Sequence, residues 1–204
     1  MRIKICGLSR PCDIGFVNEA KPDWCGFIIN FPRSRRNVSL EQVRELSKKL
    51  DPSVVPVGVF VDQPVEFAAA ALNRKFIRIA QLHGHEDSSY ISALRSLAPG
   101  CPVWKAFRVR TAEDLEQAAA CSADLVLLDN GYGTGECFNW SLLDSFPRPY
   151  LLAGGLTLEN IPDAAAQLHP YGIDISSGVE TDGFKDRDKI LAAVAAARKD
   201  SLIP

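Results

Sequence analysis

The chain has 204 residues, 47% of them hydrophobic and 24% charged, which is enough for one substantial core and short for two; a single domain over residues 1–204 is expected. Its 23 Lys and Arg against 25 Asp and Glu leave a formal net charge of -2 with no basic run, which argues against nucleic acid as a partner. No apolar stretch approaches the ~20 residues of a membrane span, so no membrane partner is expected either.

The first residues, Arg2-Ile3-Lys4-Ile5-Cys6, interleave charge with apolar side chains where a secretory signal would need an apolar core, and a cytoplasmic location is expected. Six cysteines without a CxxC pair, in a chain of this size, read as reduced thiols. Three histidines and no close Cys/His cluster predict no metal site.

Apolar runs at 2–6, 24–29, 56–61, 76–82, 102–109, 125–129, 150–153 and 172–176 alternate with helix-like segments at 11–20, 40–50, 65–72, 89–97, 112–121, 140–145, 158–168 and 188–199. That alternation is the pattern of parallel βα units. Ser39, Thr111 and Thr157 each precede a helix with an acid in its first turn and predict N-caps. Eight strands joined by eight crossovers can close on themselves and lose both sheet edges, so the predicted fold is α/β, a single-domain (β/α)8 TIM barrel. The competing open doubly wound sheet would place G-x-G-x-x-G after the first strand, whereas the glycine-rich turns here come late.

In a barrel the chemistry sits where strands end, and there polar residues and glycines replace apolar ones: Cys6-Gly7, Gln81-Leu82-His83-Gly84, Asp129, Ala153-Gly154-Gly155 and Asp174-Ile175-Ser176-Ser177-Gly178. Strand alternation turns Ile3, Ile5, Ile173 and Ile175 to the helices and leaves Arg2, Lys4, Cys6, Asp174 and Ser176 pointing inward. Asp129 shares a face with Leu125 and Leu127, and Gln81 shares one with His83. Inward Lys4, Asp174 and Lys105 need one another or a ligand, because an unpaired buried charge is prohibitively costly. Asp174 is then either a substrate ligand or the partner of Lys4.

Three glycine-rich loops could supply backbone N–H groups to a phosphate: Gly154-Gly155, then Ser176-Ser177-Gly178, and Gly133 with Gly135 after the sixth strand. Arg33, Arg35 and Arg36 near the mouth suit an anionic substrate, since guanidinium binds carboxylates bidentately. Cys6 alone is more often a small buried apolar residue than a base, and His83 is consistent with a hydrogen-bonded strand end, a partner of Cys6 or a substrate contact.

Taken together, these residues resemble the phosphoribosylanthranilate isomerase family. The likeness runs through Lys4-Ile5-Cys6-Gly7-Leu8, Gly26-Phe27-Ile28-Ile29, Pro32-Arg33-Ser34-Arg35-Arg36, Val57-Gly58-Val59-Phe60-Val61, Gln81-Leu82-His83-Gly84, Leu127-Leu128-Asp129, Gly133-Thr134-Gly135, Ala153-Gly154-Gly155-Leu156 and Asp174-Ile175-Ser176-Ser177-Gly178-Val179-Glu180. It implies an Amadori rearrangement of a phosphosugar, as a step of tryptophan biosynthesis, with no metal and no organic cofactor. Carried over, Cys6 is the general base and Asp129 the general acid, with Arg36 on the anthranilate carboxylate and His83 and Asp174 as substrate contacts. The phosphate falls to Gly133, Gly135, Gly154, Gly155, Ser176, Ser177 and Gly178. A monomer or a homodimer is compatible with this.

A thiol of pKa roughly 8.5 needs a nearby cation to serve as a base, and inward Lys4 is the expected one. The chain departs from the family pattern at Tyr132 and Glu136, which stand where a glycine and a lysine are usual, and at Asn139, which replaces an acid. A histidine-pathway sugar isomerase would need carboxylates at both catalytic positions and a second phosphate site in the first half. A Cys-His hydrolase would need an orienting residue and an oxyanion hole, and a phosphosugar-binding module would not need Cys6 and Asp129.

Overall fold

A computed structural model describes residues 1–129, 143 and 146–199. In chain order the elements are β1 (Arg2–Cys6), α1 (Pro11–Ala20), β2 (Trp24–Ile29), β3 (Asn37–Val38), α2 (Leu40–Ser47), β4 (Val55–Phe60), α3 (Val65–Asn73), β5 (Ile79–Leu82) and α4 (Ser88–Leu97). They continue with β6 (Val103–Arg108), α5 (Ala112–Ala120), β7 (Leu125–Asp129), β8 (Tyr150–Ala153), α6 (Ile161–Leu168) and β9 (Gly172–Ile175). A 3-10 turn (Ser177–Val179), the hairpin β10 (Glu180–Thr181) and β11 (Phe184–Lys185), and α7 (Arg187–Lys199) complete them.

Eight parallel strands, β1, β2, β4, β5, β6, β7, β8 and β9, pair in that order, and β9 pairs back onto β1, so the sheet closes as a barrel. The alternation that suggested eight βα units therefore ends in the expected (β/α)8 architecture, with seven helices among the described residues. The sixth predicted helix, at 140–145, lies outside the described residues but for Leu143.

Alternate side chains of the strands fall into two apolar cores, the inner one supplied by β2 and by β4 to β8. Ile3, Ile5, Phe27, Phe60, Leu82, Val126, Leu128, Leu152 and Ile173 pack outward under the helices. Trp24, Val57, Ile79, Trp104, Ala106, Leu125, Leu127 and Leu151 fill the barrel interior. The two indoles meet edge to face at 5.1 Å and plug the N-terminal half of the barrel. Among these inward residues sits one ion pair: Lys4 Nζ lies 2.9 Å from each carboxylate oxygen of Asp174, its cross-strand partner between β1 and β9.

The structure corrects the expected orientation of Lys105. It lies between Trp104 and Ala106, which both point inward, so pleating turns it out. There its ammonium donates to Gly84 O at 2.7 Å and pairs with buried Glu86 at 3.1 Å. Capping is as expected at Ser39, whose Oγ accepts from Gln42 N while Gln42 returns a bond to Ser39 N, and at Thr111 with Asp114. Thr157 is not a helix cap. Its backbone N–H donates to Asn160 Oδ1, a turn intervenes, and α6 begins at Ile161 with proline in its first turn.

Two pairings were not anticipated: β3 extends the sheet beside β2, and β10–β11 forms an antiparallel hairpin after the 3-10 turn. The expected fourth strand at 76–82 shortens to Ile79–Leu82, because Lys75 adopts φ 59° and Phe76 N bonds back to Ala71 O.

Lys4→Met leaves the carboxylate of Asp174 without its partner inside the barrel. The expected loss is about 3–5 kcal/mol of stability in urea unfolding, and a loss below about 1 kcal/mol would contradict the pairing.

Candidate active site

At the C-terminal ends of the strands a cavity of about 320 Å³ is lined by Cys6, Gln81, His83, Arg108, Asp129, Gly154, Gly155, Asp174, Ser176 and Ser177, with Ile28, Val59, Ala153, Leu156 and Ile175 as its apolar walls. Cys6 and Asp129 thus share one cavity, presented by β1 and β7, which β8 and β9 separate around the barrel. The volume is within the range that holds a small ligand.

Cys6 closes β1, two residues after Lys4, so both side chains point inward. Burial pushes the Cys6 thiol up from its ordinary value and the Asp174 carboxylate pushes the same way, while Lys4 and Lys185 pull it down. The upward causes win, so the resting group is a neutral thiol. Lys4 thus acts on Cys6 in the expected direction, but burial and Asp174, whose two oxygens both take the Lys4 ammonium, outweigh it. Burial works to lower the Lys4 ammonium, but Asp174 and Cys6 lift it above its ordinary value. Of the two roles open to Asp174, the structure shows the ion pair with Lys4.

His83 stands at the mouth, with Nε2 3.8 Å from Asp129 Oδ2 and Nδ1 3.4 Å from the Gln81 amide. It faces the carboxyl rather than serving as a partner to Cys6. Arg108, opposite Asp129 in the β6–β7 register, also lines the cavity. Sequence reasoning passed over it, although its parity with Trp104 and Ala106 marks it as the last inward residue of that strand.

Gly154 and Gly155 both adopt positive φ (84° and 64°), a conformation glycine enters without a Cβ penalty, as the loop leaves β8. Ser176 Oγ donates to Cys6 O at 3.0 Å and receives a bond from Lys185 Nζ at 3.3 Å. Gly178 lies behind this loop instead of lining the cavity, and a Cβ there would sit 2.0 Å from Leu156 O. Gly133 and Gly135, with Tyr132, Glu136 and Asn139, lie outside the described residues.

Arg36 occupies an adjacent cavity of about 200 Å³ with Gly7, Arg35, Glu180 and Lys185. Its Nε and Nη2 donate to the two oxygens of Glu180 at 2.6 and 2.8 Å. Arg35 and Lys185 bond the same carboxylate, each at 2.6 Å. Burial works to raise the Glu180 carboxyl, yet these hydrogen bonds and charges hold it down at about 2. Lys185 went unnoticed in the sequence, because a lysine on a short hairpin carries no periodic signal. Among the described residues no cluster of three or more His, Cys, Asp or Glu could hold a metal ion.

In a Cys12→Ser background, carboxymethylation of Cys6 followed by peptide mass spectrometry should show a midpoint above the ordinary thiol value of about 8.5. Lys4→Met should raise it further, and an unchanged midpoint in that variant would show that Lys4 does not act on the thiol.

The family model described as N-(5'phosphoribosyl)anthranilate (PRA) isomerase matches residues 3–196. The N-(5'-phosphoribosyl)anthranilate isomerase of Clostridium acetobutylicum is 40% identical over 208 aligned positions, covering 98% of each chain. The solved phosphoribosyl anthranilate isomerase of Thermotoga maritima superposes with a TM-score of 0.88 at 33% identity, covering 98% of this chain and 99% of that one. Another solved phosphoribosyl anthranilate isomerase, in complex with reduced 1-(o-carboxyphenylamino)-1-deoxyribulose 5-phosphate, matches with a TM-score of 0.85 at 32% identity over 98% of this chain and 99% of its own. A closed barrel with polar strand ends, matched in sequence and shape along almost its whole length, places this chain in the phosphoribosylanthranilate isomerase family.

Proposed function

We propose that the chain converts N-(5-phosphoribosyl)anthranilate to 1-(2-carboxyphenylamino)-1-deoxyribulose 5-phosphate, the Amadori step of tryptophan biosynthesis. The observation that carries this reading is the single cavity shared by Cys6 and Asp129. A solved relative holds the reduced form of that product.

Asp129 acts as general acid, giving its proton to the furanose ring oxygen as the C1–O bond breaks and the nitrogen lone pair forms the C1 iminium. Cys6 then removes the proton on C2, and its electrons neutralise the iminium to give the enolamine, which tautomerises to the ketone. The raised thiol fits this order. The iminium acidifies the C2 proton, so the thiolate, formed as the thiol gives its own proton to solvent at the cavity mouth, has a proton within its reach only once the ring is open. Lys4 and Lys185 supply the positive field.

The phosphate end is assigned to the backbone of Gly154 and Gly155 and to the Ser176-Ser177-Gly178 loop, where N–H groups can converge on its oxygens. In the same reading Gly133 and Gly135 are further phosphate contacts. Arg36 takes the anthranilate carboxylate, while His83 and Asp174 contact the substrate between the two anionic ends.

The loss of phosphoribosylanthranilate fluorescence tests the assignment. Wild-type protein should turn the substrate over, and Cys6→Ser and Asp129→Asn should each lose roughly 100- to 10,000-fold in kcat. Either variant at wild-type rate would remove that residue from the chemistry.

A further inference from the structure

We infer that Glu180 is a positioning residue for Arg36: it grips one edge of the guanidinium and leaves the other edge for the substrate carboxylate. The inference rests on the assignment of Arg36 to that carboxylate.

A guanidinium has five N–H donors in a planar fork. Glu180 engages Nε and Nη2, the side edge, at 2.6 and 2.8 Å. Among the described residues Nη1 makes no hydrogen bond, so the end edge formed by Nη1 and the second Nη2 proton remains available for a second bidentate contact.

The grip crosses the fold. Arg36 comes from the segment between β2 and β3, whereas Glu180 opens the β10–β11 hairpin after the last barrel strand. Its arm lies over Gly7, next to Cys6: a Cβ at position 7 would sit 2.4 Å from Arg36 Cδ, and Gly7 adopts φ 83°. This is the route by which the guanidinium reaches the rim beside the thiol.

The hairpin also sets the local charge. One buried carboxylate holds three cations, Arg35, Arg36 and Lys185, and with Arg10, Asp13 and Asp182 the walls of this cavity carry four cations against three carboxylates, in a chain whose net charge is -2. A surplus of that sign beside the mouth attracts an anion without the grip on Arg36 being surrendered. Lys185 passes the same framework on to the anion loop by donating to Ser176 O at 2.9 Å. On this view the hairpin selects for a substrate with a carboxylate on its aromatic ring, and the barrel supplies the chemistry.

The test compares the natural substrate with N-(5-phosphoribosyl)aniline, which lacks the carboxylate. Glu180→Gln should raise KM for the carboxylated substrate about 10- to 100-fold, the worth of one hydrogen bond to a charged group, with little change in kcat. For the aniline substrate the same variant should lose at least several-fold less than for the carboxylated one. Glu180→Asp keeps the charge that Lys185 requires but shortens the arm, so it should show the same substrate-dependent loss if Glu180→Gln folds poorly. Arg36→Met combined with Glu180→Gln should be no worse than Arg36→Met alone. Equal losses for Glu180→Gln on both substrates, or additive losses in the double variant, would overturn the inference while Arg36→Met still costs the carboxylated substrate more than the aniline one. Equal losses for Arg36→Met on the two substrates would overturn the Arg36 assignment and the inference with it.

Discussion

The ion pair of Lys4 with Asp174 is the constraint around which the mouth of the barrel is arranged. An ammonium without solvent contact and a carboxylate with little are held at 2.9 Å inside a closed sheet, where the effective penalty of removing each ion from water is several kcal/mol. An apolar pair in the same place would serve stability at least as well. The ion pair instead puts a cation next to Cys6 and a carboxylate beside it, so that the thiol stays neutral at rest while a positive field stands ready. Because the pair spans the β1–β9 junction, the register that closes the barrel also places the proposed base.

The two ends of the barrel have different physics. Toward the N-terminal end, the indoles of Trp24 and Trp104 and the aliphatic layer of Val57, Ile79, Leu125 and Leu151 close the interior. Toward the C-terminal end, the inward positions are Cys6, Gln81, Asp129 and Asp174, and glycines replace side chains so that backbone can approach a ligand. Stability is carried by one end and chemistry by the other. Charge outside the barrel is organised separately, by Glu180 and Lys185 on the hairpin and by Glu86 against Lys105 behind β5 and β6.

Much of this was legible in the order of residues. The alternation of apolar runs with periodic segments depends only on local pleat and helix period, and it led to eight strands and the barrel. Parity within β1, β7 and β9 placed Lys4, Cys6, Asp129 and Asp174 on the inner face. The same rule misplaced Lys105, because a lysine next to a tryptophan does not reveal which of the two is inside until the register of β6 with β5 and β7 is known. Thr157 looked like a cap because the threonine and the acid two residues later fit the pattern, but the proline at 162 starts the helix later.

What the chain determined by itself was everything governed by near neighbours: strand and helix periodicity, most caps, the glycine-rich turns, and the inward parity of the strand-end residues. What only tertiary structure decided was which distant charges meet. Arg36 and Glu180 are 144 residues apart and Lys4 and Asp174 are 170 apart, and no local rule chooses between such partners. Closing the sheet brings the first strand against the last and the hairpin across the second loop. The protonation state of Cys6 follows from that closure, because it depends on the sum of burial and of charges contributed by segments from both ends of the sequence.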